Sequence, residues 1–568
     1  MTEDRRNFVL FAVIAALILF GWPLIQSRFF PAANPPVSKV VAGKSQPLPQ
    51  PQADPTADSP AALRDRALVL AESPRVRIET PTLRGSINLR GARIDDLTLV
   101  AYNETIARNS APIRLLSPAG ARDAYFAGFG WRGEGLVPPT ADAVWRASSP
   151  VLRPGSPVTL DAVGGNGQRY RLRLSVDDGY MFGVQQTVLN AGPRPVGVAS
   201  YGLVNRTAPS KNADTWTIHV GPMSAHNDRA DYDTDYDDLA EDGAQRFTTT
   251  GGWLGFSDLY WLTAVIPDQA RGFDGQFRAG PNKSFQADYT AAPRALAPGQ
   301  ALTQTSRFYA GAKEVALLDR YTDLQGVTKL DRAIDWGYFR IIEKPIFYYL
   351  DWLFRMVGNF GVAIIALTAT FRLLLFPIAQ RQFASMAKMR VLQPKMKALQ
   401  ERYKDDKVKM QQEVMGLYKT EKVNPLAGCL PTLLQIPIFY ALYKVLLLTI
   451  EMRHQPFVAW IKDLSAPDPL TPVNLFGLLP FTPPAFIGIG VIPILLGVSM
   501  YLQFKLNPQP TDETQKQVFA IMPWVLMFVM APFAVGLQVY WITSNFLAIL
   551  QQRVLYARHP DLKVAAAK

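Results

Sequence analysis

An arginine inside an apolar run constrains this chain more than any other feature. Residues 357–379 read VGNFGVAIIALTATFRLLLFPIA, a stretch long enough to cross a ~30 Å hydrocarbon layer as a helix, and Arg372 lies within it. A guanidinium at mid-helix costs about 2.5–3.5 kcal/mol on insertion scales unless it meets water, a partner or a bundle interior. Snorkelling to the headgroups is the bland alternative, but Leu373, Leu374, Leu375 and Phe376 place a further apolar turn beyond the charge. Thr368, four residues earlier, shares a helix face with Arg372, so that face is polar and expected to look inward.

With 568 residues, 48% hydrophobic and 19% charged, the chain is too long for one core and averages apolar spans with polar regions. Its formal net charge is +12, but the basic residues gather beside hydrophobic spans rather than among interleaved aromatics. Anionic lipid headgroups fit that pattern, and nucleic acid as a specific ligand does not. The single cysteine, Cys429, excludes an intrachain disulfide and a cysteine metal site. Composition therefore points to a multidomain membrane protein whose exported part is held by its core alone.

Residues 1–30 read as a signal-anchor transmembrane helix, with Arg5 and Arg6 before the apolar run Phe8–Ile25 and no A-x-A cleavage site after it. Residues 31–74 are rich in Pro, Ala, Ser and Gln and read as a tether. Over residues 75–330 the pattern changes to period two. Tyr170, Leu172, Leu174 and Val176 alternate with Arg171, Arg173 and Ser175 just after an Asn166-Gly167 turn signal, which predicts a large β-sandwich. The acidic run Asp228–Asp242 imitates the start of a calcium loop. Tyr236 stands where that loop needs glycine and Asp242 where it needs glutamate, so the run reads as a solvated loop. Residues 331–356 mix aromatics with Arg340, Lys344 and Arg355, as an interfacial amphipathic helix would, with Pro345 in its first turn. An aromatic belt preceding a span is the alternative reading.

Residues 357–568 form the remaining unit. Its segment 380–424 is basic and helical, with Met389, Leu392, Met396, Leu399 and Tyr403 stepping by three and four, and Lys404-Asp405-Asp406 as a break. This predicts a cytoplasmic helical hairpin. Met386, Met389, Met396 and Met415 could offer a soft surface to apolar clients or simply pack the two helices together. Leu430–Ile450, Ala485–Phe504, Gln517–Ala531 and Phe533–Leu555 follow as spans, giving six in all with both termini cytoplasmic. After Arg372 the loops assigned to the outer face contain only Arg453 and Lys462 as basic residues, which supports that orientation.

Polar residues recur in these spans. Thr432 and Gln435 share one face, as do Gln538, Trp541 and Asn545, and Ser499, Ser544 and Gln551 add to the set. Each amide or hydroxyl taken alone serves equally well as glue between helices or as the lining of a hydrated groove. Arg372, with no carboxylate in its own span, favours the groove. Three function classes compete. A secondary transporter would need inverted repeats and interrupted midplane helices, and neither is visible. An anchored glycan-binding or mutarotase-like module leaves the polar faces of the later spans unexplained. The third class works by solvation rather than covalent chemistry, and nothing in the chain resembles a nucleotidase or protease motif.

The segments MAKMRVLQPKMKALQERYKDDK, EKVNPLAGCLPTLLQIPIFYALYKVL and GLQVYWITSNFLAILQQ, preceded by GGWLGFSDLYWLTAVIP, resemble the YidC/Oxa/Alb family of membrane protein insertases. The resemblance runs from the anchor to the C-terminus and is strongest over residues 335–555. It implies a periplasmic all-β supersandwich and a polytopic α-helical insertase core in the bacterial inner membrane. It implies a groove arginine at Arg372 and client contacts at Thr368, Gln435, Phe439, Tyr540 and Trp541. As partners it implies nascent membrane proteins, the Sec translocon, membrane lipids and the ribosome, the last weakly because the C-terminus is short; it implies no cofactor. Two departures stand out, Lys444 in an otherwise aliphatic stretch and Trp541 among the aromatics of the last span. Because Pro394 interrupts the first hairpin helix and two short helices bury little area, amide hydrogens over residues 382–421 are predicted to exchange faster than those of any span. Protection equal to that of the spans would mark the hairpin as rigid.

Overall fold

The structure, a computed structural model, describes residues 64–210, 218–280, 283–403, 406–421, 430–476, 478–479, 481, 488–506 and 513–558, with two short strands at 40–41 and 44–45. The expected anchor helix and most of the tether lie outside these residues. The tether's end does not stay loose. Arg66–Ala71 forms a helix (α1) capped by the Asp65 side chain, which accepts from the Ala67 amide. Val69 is buried, and Arg66 pairs with Asp96 of the sandwich.

Two sheets face each other over one core, one of nine strands and one of eleven, antiparallel apart from the parallel pairing of Arg77–Ile78 with Val151–Leu152 in the larger. In the strand Arg169–Val176 every second residue is buried, from Tyr170 to Val176, as the period-two pattern requires. It pairs with Val158–Val163 across a turn in which Asn166 and Gly167 take φ of 43° and 77°, the left-handed values that Asn-Gly accommodates. The sheets meet through their inward side chains. Phe129 of one sheet lies edge-on to Phe308 of the other at 6.2 Å, and Gln186 donates to the Gly130 carbonyl at 2.7 Å. The acidic run departs from a solvated loop. Tyr236–Asp242 is a helix (α2), because Asp235 accepts from the Asp238 amide at 2.7 Å while Asp238 accepts from the Asp235 amide at 3.2 Å. That reciprocal cap lets an acidic segment start a helix at the end where negative charge is favourable.

After the last long strand, Ala301–Ala312, comes α3 (Val315–Asp323), two short 3-10 turns, and α4 (Arg340–Val357). α4 begins earlier than the proline suggested, so Pro345 sits beyond the first turn. Its buried stripe is Glu343, Ile346, Phe347, Leu350 and Leu353, and its opposite side exposes Ile341, Tyr348, Trp352 and Met356. The sandwich is docked on the helical half by polar contacts. Lys344 pairs with Asp319 of α3 at 2.6 Å, Arg340 pairs with Asp331, and Glu451 accepts from the Val315 amide at 3.0 Å. Arg453 donates to the Glu104 carbonyl at 3.2 Å and lies over the Trp261 ring. Burial pushes the Glu451 carboxyl up to about 7.

The remaining helices are α5 (Phe360–Leu374), α6 (Phe376–Arg402), α7 (Lys407–Thr420), α8 (Leu430–Leu448), α9 (Val491–Leu506), α10 (Glu513–Met530) and α11 (Val535–Arg558). The hairpin is present as α6 and α7, but Pro394 lies inside a continuous α6 instead of breaking it. No helix among the described residues is long and apolar enough to cross a membrane, in contrast to the six spans read from the sequence. The apolar run around Arg372 is divided at Leu375, leaving α5 with 15 residues. α11 has 24 residues but interrupts its apolar positions with Gln538, Ser544, Asn545, Gln551, Gln552 and Arg553.

Tight packing in the sandwich gives a direct test. A Cβ on Gly311 would stand 2.1 Å from Cγ of Tyr180, whose hydroxyl donates to Glu314 at 2.9 Å. Gly311→Ala is expected to destabilise the sandwich by about 1–3 kcal/mol through overpacking. Calorimetry of the full chain in detergent should register this as a lower melting temperature for the sandwich transition, and an unchanged melting temperature would show that the Tyr180 ring yields freely.

Candidate functional site

Arg372 lies in the last turn of α5, and its guanidinium reaches α11. Nε and Nη2 both donate to the Ser544 hydroxyl, at 3.2 and 2.6 Å. Gln551, two turns further along α11, donates to the Arg372 carbonyl at 3.3 Å. Among the described residues no carboxylate pairs with this guanidinium, so its neighbours are neutral hydroxyl and amide groups. Thr368 shares the Arg372 face, as expected, but is buried and its hydroxyl donates back to the Ile364 carbonyl at 2.6 Å. That bond satisfies the hydroxyl within its own helix.

α8 supplies a second wall. Gln435 donates to the Tyr540 hydroxyl of α11, and the Phe439 ring meets Trp541 edge-on at 4.8 Å. Arg372, Gln435, Phe439, Tyr540 and Trp541 are thus brought together by three helices distant in sequence. Tyr540 and Ser544 are one turn apart and Gln551 falls on the same face.

The other face of α11 has a different task. Asn545 donates to Ser499 of α9 at 2.9 Å, and Gln552 donates to the Leu506 carbonyl at 3.0 Å. Gln538 is fully buried and donates to the carbonyls of Met530 and Phe533, both at 2.9 Å, at the turn between α10 and α11. The spacing that grouped Gln538, Trp541 and Asn545 therefore joins residues with separate roles, because Gln538 and Asn545 stand two turns apart along the helix and meet different neighbours, while Trp541 meets Phe439. Ser544 is the group that sequence reading undervalued. Its signal was its place one turn after Tyr540.

In the hairpin, Met396 is buried and its sulfur accepts from the Tyr418 hydroxyl at 3.5 Å, so it packs α6 against α7. Met415 is exposed, and the side chains of Met386 and Met389 lie outside the described set. Lys444 is 2% exposed, with its Nζ 3.5 Å from Asp335 in the turn that precedes α4.

Two family models match the chain, one described as the YidC periplasmic domain over residues 75–349 and one as the 60Kd inner membrane protein over residues 352–562. A curated relative from Zymomonas mobilis subsp. mobilis, named membrane protein insertase YidC, is 49% identical over 560 residues, covering 98% of this chain and 96% of its own. A relative of the same name from Beijerinckia indica subsp. indica is 44% identical over 589 residues with the same two coverages, 98% and 96%. A crystal structure titled as an active YidC insertase with its first transmembrane domain resolved is 17% identical, covers 96% of this chain and 99% of its own, and has a TM-score of 0.36, too low to add to the fold. On the family models and the full-length identity, the chain belongs to the YidC family of membrane protein insertases, inner-membrane proteins with a large periplasmic all-β domain and a helical core.

Proposed function

We propose that this insertase takes up the polar segment of a nascent membrane protein in a hydrated groove beside Arg372 and releases the client's apolar helix into lipid. The observation that carries the reading is the guanidinium that, among the described residues, is held by a hydroxyl and no carboxylate and lies near amide and phenol groups of α8 and α11. A cation without a fixed counter-ion keeps water near it and attracts a passing carboxylate. Trp541 and Phe439, both partly exposed, offer an apolar edge on which a client helix can lean while leaving, with the buried Tyr540 behind them. The driving force is transfer of the client's apolar surface at ~25 cal/mol per Å², set against dehydration of its polar tail.

In this reading the core spans the inner membrane with both termini in the cytoplasm and the sandwich in the periplasm. The hairpin α6–α7, with Met415 exposed, receives the client before it reaches the groove. The basic surface serves anionic lipids. Clients arrive from the ribosome by weak contacts, and the protein acts alone or beside the Sec translocon, helping clients fold as well as insert.

The test varies charge on both sides. A client carboxylate passing ~10 Å from the guanidinium at an effective dielectric of ~20 gains ~1.7 kcal/mol, more than tenfold in an equilibrium. Arg372→Ala should therefore reduce insertion of clients with acidic outer tails about tenfold while clients with neutral tails lose much less, and Arg372→Lys should retain most insertion of both. Insertion of paired clients differing only in tail carboxylates, at matched expression, checks this. Equal losses for both clients, or a lysine variant as impaired as alanine, would refute the charge mechanism.

A further inference from the structure

The departure at Lys444 has a buried counterpart that the groove does not use. Glu343 opens the buried stripe of α4, is 0% exposed, and neither of its oxygens has a hydrogen-bond partner among the described residues. Lys444 of α8 is close enough to act on it but has its Nζ 3.5 Å from Asp335. Gly337, at φ 62°, folds the intervening turn onto that ammonium, where a Cβ would stand 3.2 Å from Nζ. Two carboxyls thus share one ammonium. The cluster is electroneutral only when one carboxyl holds a proton, and Glu343 is the one with no donor.

Among the described residues no other charge resolves this. Lys344 and Arg340, the neighbouring cations of α4, are paired with Asp319 and Asp331. α5, also packed on α4, has Arg372 as its sole ionisable residue, and that guanidinium is turned to Ser544. Tyr440 of α8 is the remaining titratable group near Glu343 and contributes a phenol, while its ring receives the Phe339 edge at 5.5 Å.

We propose that Glu343, acting with Lys444 and Asp335, is a proton-sensitive positioning residue that sets how firmly α4 is held on α8, the helix that presents Gln435 and Phe439 to clients. The client face in this statement rests on the function proposed above. Burial raises the Glu343 carboxyl to about 7, with Lys444 drawing it down and Asp335 pushing it up. An exposed carboxyl titrates near its ordinary value of 4.5. Docking therefore retains a proton that undocking releases, so docking is strongest at low pH and weakens as pH rises towards 7, by up to about tenfold per pH unit, with no further change above. Because α4 lies outside the spans in this reading, the relevant pH is that of the outer compartment.

Hydrogen exchange of α4 amides in the full chain reconstituted in lipid nanodiscs, from pH 5 to 8.5 and corrected for intrinsic rates, tests this. The wild type should lose protection as pH rises, levelling off near 7. Glu343→Gln, isosteric and neutral, should keep α4 protected and flat over the range. Lys444→Met should move the levelling point upward, since the carboxyl loses its cation, an outcome that simple loss of packing does not produce. Insertion of a single-span client in proteoliposomes should lose its outer-pH dependence in Glu343→Gln while tail discrimination by Arg372 persists. A flat wild-type profile, or a Glu343→Gln profile as steep as wild type, overturns the assignment, whichever way the Arg372 variants behave.

Discussion

Placing a guanidinium among apolar helices, with no carboxylate paired to it among the described residues, is the constraint on which the helical half turns. A carboxylate partner would cancel the charge and dry the site, and a fully buried ion pair gains little once both desolvation costs are counted. Here Arg372 is held by the hydroxyl of Ser544, a residue 172 positions away, so the charge is oriented but not neutralised. The consequence runs through the fold. α11 must lie against α5 to bring Ser544 there, α8 must reach α11 for Gln435 to meet Tyr540, and α4 must hold α8 against α5.

The joint between sandwich and helices follows another logic. Ion pairs and capped amides, among them Lys344 with Asp319, Arg340 with Asp331 and Glu451 on the Val315 amide, lie beside an apolar contact in which the buried rings of Trp336 and Phe347 stand 6.2 Å apart. Polar joints fix orientation through geometry and are sensitive to charge state, whereas apolar seams are held by area. That places the titratable carboxyls of Glu343 and Glu451 where the two halves meet, rather than in the sandwich core or in the groove.

The parts of the fold legible in the sequence were those set by local period. Alternation in Arg169–Val176 gave the strand and its buried face, and three-four stepping gave the hairpin helices. Arg372 itself was conspicuous because its cost is local. What escaped was set by distant partners. Lys444 has no counter-ion within its own helix, and only folding brings Asp335 to it. Gln538 and Ser544 are polar residues in the same apolar helix, yet one closes the turn at Met530–Phe533 and the other holds the guanidinium, a difference fixed by what packs on each face. The helix at Tyr236–Asp242 was hidden because its cap uses two aspartates in place of a hydroxyl and a glutamate.

The division of the apolar run at Leu375 gives the hairpin mechanical leverage. α6 follows α5 with one residue between them and runs for 27 residues, a rod ~40 Å long at 1.5 Å per residue. Rotation by five degrees about the joint would sweep its far tip through ~3.5 Å while leaving Arg372, beside the pivot, almost in place. In the function proposed above, a client held at that tip would therefore act through a long arm on a joint one turn from the cation.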